Sequence, residues 1–376
     1  MQSRFTNFAK NYLTKLFGSA DVELNGNRPW DITVHEPRFY SRVMRGGSLA
    51  LGESYMDQWW DCRRLDQLFF HLLRSRITAR AVVMAPQLLK NTAARAINRQ
   101  STRRAFTIGE RHYDMGNDLF GAMLDESMSY SCGYWAAADT LAEAQRAKLD
   151  MVCRKLQLQP GMRLLDIGCG WGGLVNHAAR HYGVKAVGIT VSRQQQDVAL
   201  KRCAGLPVSI LLQDYRSVTG SFEAIASIGM FEHVGFRNYR SFMNIVHQRL
   251  APDGLFLLHT IGANVSTPAG DPWFDKYIFP GGMLPSIKQI GAALERLFVM
   301  EDWHNFGVDY TRTLQCWHEN FESQWDTLRP TYGDTFYRMW RYYLLAMMGS
   351  FQARVNQLWQ IVLSPRGRIE GYRSIR

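Results

Sequence analysis

The six cysteines (Cys62, Cys132, Cys153, Cys169, Cys203 and Cys316) include no pair at C-x-x-C spacing. That absence argues against a zinc cluster or a redox pair, and scattered thiols suit a reducing cytoplasm. No run of about 18 apolar residues exists, so no membrane-spanning helix is expected. Near the start, Phe5, Phe8, Leu13, Leu16 and Phe17 are broken up by Arg4, Lys10 and Lys15, too interrupted a pattern for a signal peptide. This segment reads equally as an interfacial amphipathic helix and as a helix packed on its own domain. Acids are missing from Arg74 to Arg104, where Arg74, Arg76, Arg80, Lys90, Arg95, Arg99, Arg103 and Arg104 stand unopposed. With a formal net charge of +11, the expected partner surface is anionic, either lipid or nucleic acid, and a merely solvated basic face is the plain alternative. The chain has no Asn/Asp-Pro-Pro-Tyr/Phe motif and no recognised nucleic-acid module, so nucleic acid is the weaker candidate.

What is present is enough for a sizeable core. The 376 residues suggest two or three domains, and 46% hydrophobic with 20% charged residues is a globular balance. The 11 Trp, 16 Tyr and 20 Phe are a heavy aromatic load. No internal repeat interrupts the chain. Residues 1–85 read as a small domain: an extended Pro29–Val34 piece, a helical Pro37–Met44, a Gly46-Gly47 break, and a helix through Tyr55 and Trp59. Residues 86–104 read as a basic linker and 105–376 as the larger domain.

In that larger part Thr140-Leu141-Ala142-Glu143 is a capping box opening a helix that ends before Pro160. Strand signals follow at Arg163–Ile167, Lys185–Thr190, Val208–Gln213, Ala224–Ile228 and Leu255–Ile261, with helices between them such as Asn238–Leu250, before the turn Pro252-Asp253-Gly254. Such alternation predicts an open parallel sheet covered on both faces, with ligand at the carboxyl ends of the strands. Leu297–Trp303 and Leu358–Leu363 are expected to complete it as an antiparallel edge pair.

The first of these strands runs into Gly168-Cys169-Gly170-Trp171-Gly172-Gly173 and a helix from Leu174. Backbone N–H groups at such a turn approach a ligand closely, and the helix N-terminus adds partial positive charge. A dinucleotide site wants an acid about 20 residues further on. Gly188-Ile189-Thr190 stands there instead, and no Gly-Lys-Ser/Thr follows the glycines, so neither a dinucleotide nor a phosphate loop fits. S-adenosylmethionine, which carries no phosphate, fits better.

Polar groups interrupt apolar surroundings at His112–Asn117, Tyr130–Trp135, Phe231–Gly235, His259–Gly262 and His304–Tyr310. In this order, with the glycine turn, Tyr277–Gly282 and Gln357-Leu358-Trp359-Gln360, they resemble the cyclopropane fatty acid synthase family. The resemblance implies an α/β fold: a class I S-adenosylmethionine-dependent methyltransferase, Rossmann-like, with a mostly parallel seven-stranded sheet and a small, mainly helical N-terminal domain for lipid binding and dimerisation. It implies S-adenosylmethionine contacts from Tyr130, Ser131, Asp166, Gly168, Cys169, Gly170, Gly172, Thr190, Ser192, Gln195, Asp214 and Tyr215. It further implies a bicarbonate site at Cys132, Glu232, His259, Ile261 and Tyr310, with Cys132 and Ile261 acting largely through backbone N–H. The implied partners are a phospholipid bilayer with an anionic surface, met peripherally from the cytoplasmic side, and a second copy in a homodimer.

The chemistry gives such a site its purpose. Methyl transfer to an isolated cis alkene leaves a carbocation, which neutral aromatic faces such as Trp135, Tyr134 and Phe274 can stabilise. A proton must then leave the added methyl for a ring to close, and an exchangeable base between Glu232, His259 and Tyr310 serves that step. Alkene or amine methylation without ring closure is the alternative, and simple amine methylation needs no such base. Plain readings exist for each residue: Glu232 as a helix cap, His259 as a satisfied core histidine, Tyr310 as packing, Cys132 as a buried thiol. His177 and His181, at i and i+4, lack a third metal ligand. Where some family members carry a cysteine in the C-terminal helix this chain has Leu345-Ala346-Met347-Met348-Gly349, which removes a cysteine there from any catalytic scheme.

Overall fold

The computed structural model describes residues 2–75 and 116–376, which fall into two compact units. The basic residues from Arg76 to Arg104, most of the His112–Asn117 segment and the expected boundaries at 85 and 104 lie outside the described residues.

The first unit is mainly helical and is not continuous in sequence. It joins the described residues up to 75 to Ala269–Pro280 and Leu314–Asn356. Its helices are Gln2–Gly18, Arg38–Met56, Leu65–Arg74, Pro272–Tyr277 and Trp325–Gln352, with a two-residue antiparallel pair, β1 (Thr33–Val34) and β2 (Trp60–Asp61). The Gly46-Gly47 break survives as a kink at Gly47 (φ 56°, ψ −136°) inside one helix, a conformation costly for any residue with a Cβ. Trp60, Tyr55, Tyr342 and Trp273 form its aromatic core, the Trp273 and Tyr342 rings 4.4 Å apart. Gly52 is required there, because a Cβ would overlap the Trp273 ring.

The second unit holds residues 116–268 together with Gly281–Thr313 and Gln357–Arg376. Seven strands, β3 (Arg163–Ile167), β4 (Lys185–Thr190), β5 (Val208–Leu212), β6 (Phe222–Ile228), β7 (Leu250–Ala263), β8 (Val299–Asn305) and β9 (Asn356–Ser364), form one sheet in the order β5-β4-β3-β6-β7-β9-β8. The pairs from β5 to β7 are parallel and β8–β9 is antiparallel. Strand order reverses between β3 and β6, the crevice where open α/β sheets hold ligands. Alternation along β3 sends Leu165 and Ile167 to one core layer and Leu164, with Asp166 on the same side, to the other.

One expectation is adjusted. The turn at Pro252-Asp253-Gly254 falls inside β7: Phe222 pairs with Leu250 but Ala224 with Leu255, so the turn residues become a bulge in a strand that starts earlier. The antiparallel pair expected at the edge of the sheet is there: β8, with Val299 and Met300 exposed, is outermost, and β9, buried from Gln357 to Ser364, lies between it and β7. The capping box at Thr140 is formed as expected, on the helix Leu141–Lys155.

Candidate active site

β3 ends at Ile167, and the chain then turns through Gly168, Gly170 and Gly172 at φ of 84°, 54° and 84°. Left-handed backbone three times within five residues accounts for the glycines. The Gly168 and Cys169 amides donate to the Ile189 carbonyl at 3.0 and 2.9 Å, tying the turn to the end of β4. A Cβ on Gly168 would press on the Met230 side chain at 2.8 Å, and one on Gly172 would meet Ala199 at 3.1 Å. A Cβ on Gly170 would meet nothing within 4 Å among the described residues. The turn is therefore packed at both ends and open in the middle. The helix Gly173–Tyr182 has no side-chain cap at its start, so its first amides face the same opening. Cys169 turns its thiol back into the sheet, 2.9 Å from where a Gly188 Cβ would stand, and burial raises its pKa well above the usual thiol value.

At the end of β4 the Thr190 hydroxyl donates to Gln195 Oε1 (2.7 Å) and accepts the Ser192 amide (3.2 Å). The Ser192 hydroxyl accepts the Gln195 amide (3.3 Å) as helix cap. These three expected cofactor residues form one buried set. Asp214, beyond β5, accepts the Arg216 amide (2.9 Å) and pairs with its guanidinium (3.0 Å), which also lies 4.7 Å from the Tyr215 ring centre.

The helix Leu141–Lys155 supplies a set that the sequence reading missed. Lys148 is buried and donates to the Ser131 hydroxyl at 3.1 Å, and Gln145 donates to the Ser131 carbonyl at 2.8 Å. Asp166 is buried on β3, and its Oδ1 has no partner. Burial pushes Asp166 up to about 7 against the pull of Lys148, and drives Lys148 down to about 8. A signal was available: Gln145 and Lys148 interrupt the buried stripe Leu141, Ala144, Leu149, Val152 at helical spacing.

The second cluster lies at the ends of β6 and β7. Glu232 sits in a short helical turn after β6, its carbonyl accepting the Met283 amide (2.9 Å). Its Oε1 accepts the Ile261 amide at 2.7 Å, while Oε2 is buried with no hydrogen-bond partner among the described residues. The Ile261 backbone N–H, expected on a bound anion, is here given to the Glu232 carboxylate. His259, on β7, has Nδ1 3.2 Å from Gln360 Nε2, and its Nε2 is buried without a partner among the described residues. Burial, with Lys148, Lys155 and His304 adding, holds His259 well below its ordinary pKa, so it is neutral. Burial pushes Glu232 up to about 7.

Cys132 is organised by Thr313, also absent from the sequence reading. The Thr313 hydroxyl accepts the Gly133 amide (3.1 Å) and the Trp135 indole N–H (2.9 Å) and donates to the Asp309 carbonyl (3.2 Å). Cys132 Sγ lies 3.6 Å from it, and Asp309 accepts the Trp135 amide at 2.7 Å. Tyr310, buried, precedes Thr313 by three residues in the helix Asp309–Ser323 and shares its face. Of the expected aromatic walls, Trp135 already has the Arg312 guanidinium 4.2 Å from its ring centre, and Tyr134 packs against Phe306. Phe274 belongs to the first unit, beside Tyr343. The Gly168–Met230 approach places the glycine turn next to the segment that carries Glu232.

A parallel sheet with an antiparallel β8–β9 pair and a glycine cradle at the β3/β6 crevice defines a class I methyltransferase fold. Residues 100–361 match the family model described as mycolic acid cyclopropane synthetase, and the chain belongs to this family. It is 51% identical over 362 residues to the cyclopropane-fatty-acyl-phospholipid synthase of Escherichia coli (strain K12), covering 96% of this chain and 94% of that protein. The cyclopropane synthase MmaA2 from Mycobacterium tuberculosis superposes with a TM-score of 0.64 at 32% identity, over 69% of this chain and 97% of that one. The mycolic acid cyclopropane synthase CmaA1, solved with SAH and CTAB, does so with a TM-score of 0.65 at 31% identity, over 69% and 97%.

Proposed function

We propose that the chain transfers a methylene group from S-adenosylmethionine to the cis double bond of an unsaturated acyl chain in membrane phospholipid, closing a cyclopropane ring. The carrying observation is the pair of buried, unpartnered atoms Glu232 Oε2 and His259 Nε2, in a unit whose glycine turn is open at Gly170. Buried polar atoms without partners are costly and point to a missing ligand. The names of the relatives, which concern cyclopropane synthesis on fatty-acyl phospholipid and mycolic acid, support the same substrate class.

The cradle suits the methyl donor: the turn from Gly168 to Gly172 approaches it through backbone, Asp166 offers an unpaired Oδ1, and Thr190, Ser192 and Gln195 form a fixed polar wall. When bound, S-adenosylmethionine supplies an electrophilic methyl on a sulfonium. The chain's own task is to hold that donor in line with a weak nucleophile and to exclude water. A small anion such as bicarbonate suits the second cluster, where neutral His259 presents a hydrogen-bond donor and Glu232, raised to about 7, can hold or release a proton. When bound, it supplies an exchangeable base for the proton that must leave the added methyl. Cys132, fixed by Thr313, and Tyr310 complete that enclosure.

The net charge of +11 supports docking on an anionic bilayer from the cytoplasmic side, and we extend the reading to a homodimer. Among the described residues no helix is long and apolar enough to cross a membrane. The test is incubation with methyl-labelled S-adenosylmethionine and vesicles of unsaturated phospholipid, with and without bicarbonate. Ring protons in the product, with loss of the alkene, are expected. A methylated product that lacks ring protons, or label on an amine headgroup, rejects ring closure.

A further inference from the structure

We propose that Gln360 is a positioning residue that fixes the tautomer of His259, so that the imidazole offers Nε2–H to whatever acceptor the second cluster holds. The inference rests on the reading of that cluster as an anion site, but its first observable does not depend on the anion.

Gln360 is fully buried on β9, the interior strand, across from His304 on β8. Its register is held hard. A Cβ on Gly262 of β7 would overlap the Trp359 ring, so the two strands approach closely only because residue 262 has no side chain. That places the Gln360 amide nitrogen 3.2 Å from His259 Nδ1. With the Gln360 amide in this orientation its nitrogen donates and Nδ1 accepts, and a neutral imidazole with an accepting Nδ1 carries its proton on Nε2; a turned amide, whose oxygen is otherwise buried without a partner among the described residues, would accept from Nδ1–H and give the opposite tautomer. Nε2 is the nitrogen left buried without a partner. It is therefore a donor aimed at an absent acceptor, as an anion-binding histidine should be. With the opposite tautomer, Nε2 would be a lone pair and would repel that same anion. Burial that keeps the ring neutral makes the choice of tautomer decisive, because an imidazolium would donate from both nitrogens regardless.

The test is nitrogen NMR on the full chain labelled at its ten histidines, with the His259 signals assigned by their loss in His259→Gln. The expected wild-type pattern is a protonated Nε2 and a bare Nδ1, before any bicarbonate is added. Gln360→Glu puts an acceptor against Nδ1 and should transfer the proton to it. In that variant kcat for ring formation is expected to fall at least about tenfold, with KM for S-adenosylmethionine unchanged. Gln360→Leu should leave a mixture of tautomers and an intermediate rate. A wild-type proton on Nδ1, or a Gln360→Glu protein whose His259 keeps the wild-type pattern, overturns the inference. The anion reading fails separately. If bicarbonate leaves the His259 signals unmoved while Gln360→Glu still switches the tautomer, Gln360 has its role and the anion assignment is wrong.

Discussion

The proposed donor half and the proposed base half of this site are built by opposite means. The donor half is mostly backbone from short stretches of chain: the turn from Gly168 to Gly172 and the Thr190–Ser192–Gln195 set, closed by bonds between residues no more than five apart or on adjacent parallel strands. The base half is side chain and long range. Glu232 is fixed from Ile261, His259 from Gln360, and Cys132 from Thr313, across 29, 101 and 181 residues. A cradle of amides tolerates side-chain change around it but not an added carbon. A set of buried side chains fails when one hydrogen-bonding group is lost.

The sharpest way to break that contrast is Glu232→Gln. The amide can still accept the Ile261 N–H through its oxygen but cannot ionise, and ring formation is expected to fall on the order of 1,000-fold while donor affinity, read by equilibrium binding, stays put. Full ring-forming activity in this variant removes Glu232 from the chemistry. Loss of donor affinity in step with rate would show that the halves are not separate.

The base half also carries a pH signature. Burial raises Glu232 from 4.5 to about 7, so the folded state holds the proton more tightly than the unfolded chain does. Its contribution to stability is then complete below pH 4.5 and is lost as pH rises through about 7, on the order of 3 kcal/mol in all. Asp166, raised from 3.8 to about 7, slopes the same way. Denaturant midpoints of wild type should fall between pH 4.5 and 7, and Glu232→Gln should flatten that fall. Parallel curves for the two proteins would mean that Glu232 is ionised at little cost.

The same contrast explains what could be read from the chain. The sheet and the glycine turn were legible because period, glycine placement and capping are local: Thr140 opens its helix and β3 and β4 have the expected ends. The β8–β9 pair was placed at the edge of the sheet, where it stands, but its apolar runs do not say which of the two strands is outermost. Glu232, His259, Cys132 and Tyr310 came through likeness to a family, and the structure adds their bonding. Thr313, Lys148 and Gln145 escaped, because a buried threonine or lysine looks like a surface one until the fold sets it against Gly133, Ser131 and Asp166. Gln360 was quoted in a motif without a task, since its partner stands 101 residues away.

Thr313→Val tests how far the long-range side reaches. It keeps the shape but strands the Gly133 amide and the Trp135 indole N–H, a loss of roughly 1–3 kcal/mol in stability. Ring formation is expected to fall about tenfold as the Cys132 loop loosens, again with donor affinity held. A stable protein of wild-type rate would mean that the loop has other supports.

The smallest change tests the other side. Gly170→Ala puts a Cβ at φ 54°, which costs roughly 1 kcal/mol in backbone energy, but into space with nothing within 4 Å, so the fold should survive. That space is where a donor must pass close to backbone, and its affinity is expected to drop about tenfold while His259 keeps its tautomer. Cys169→Ala, one residue earlier, removes a thiol that faces Gly188 and should leave donor affinity unchanged. If the cysteine change weakens the donor and the glycine change does not, the cradle works by side chain after all, and the two halves of the site are built alike.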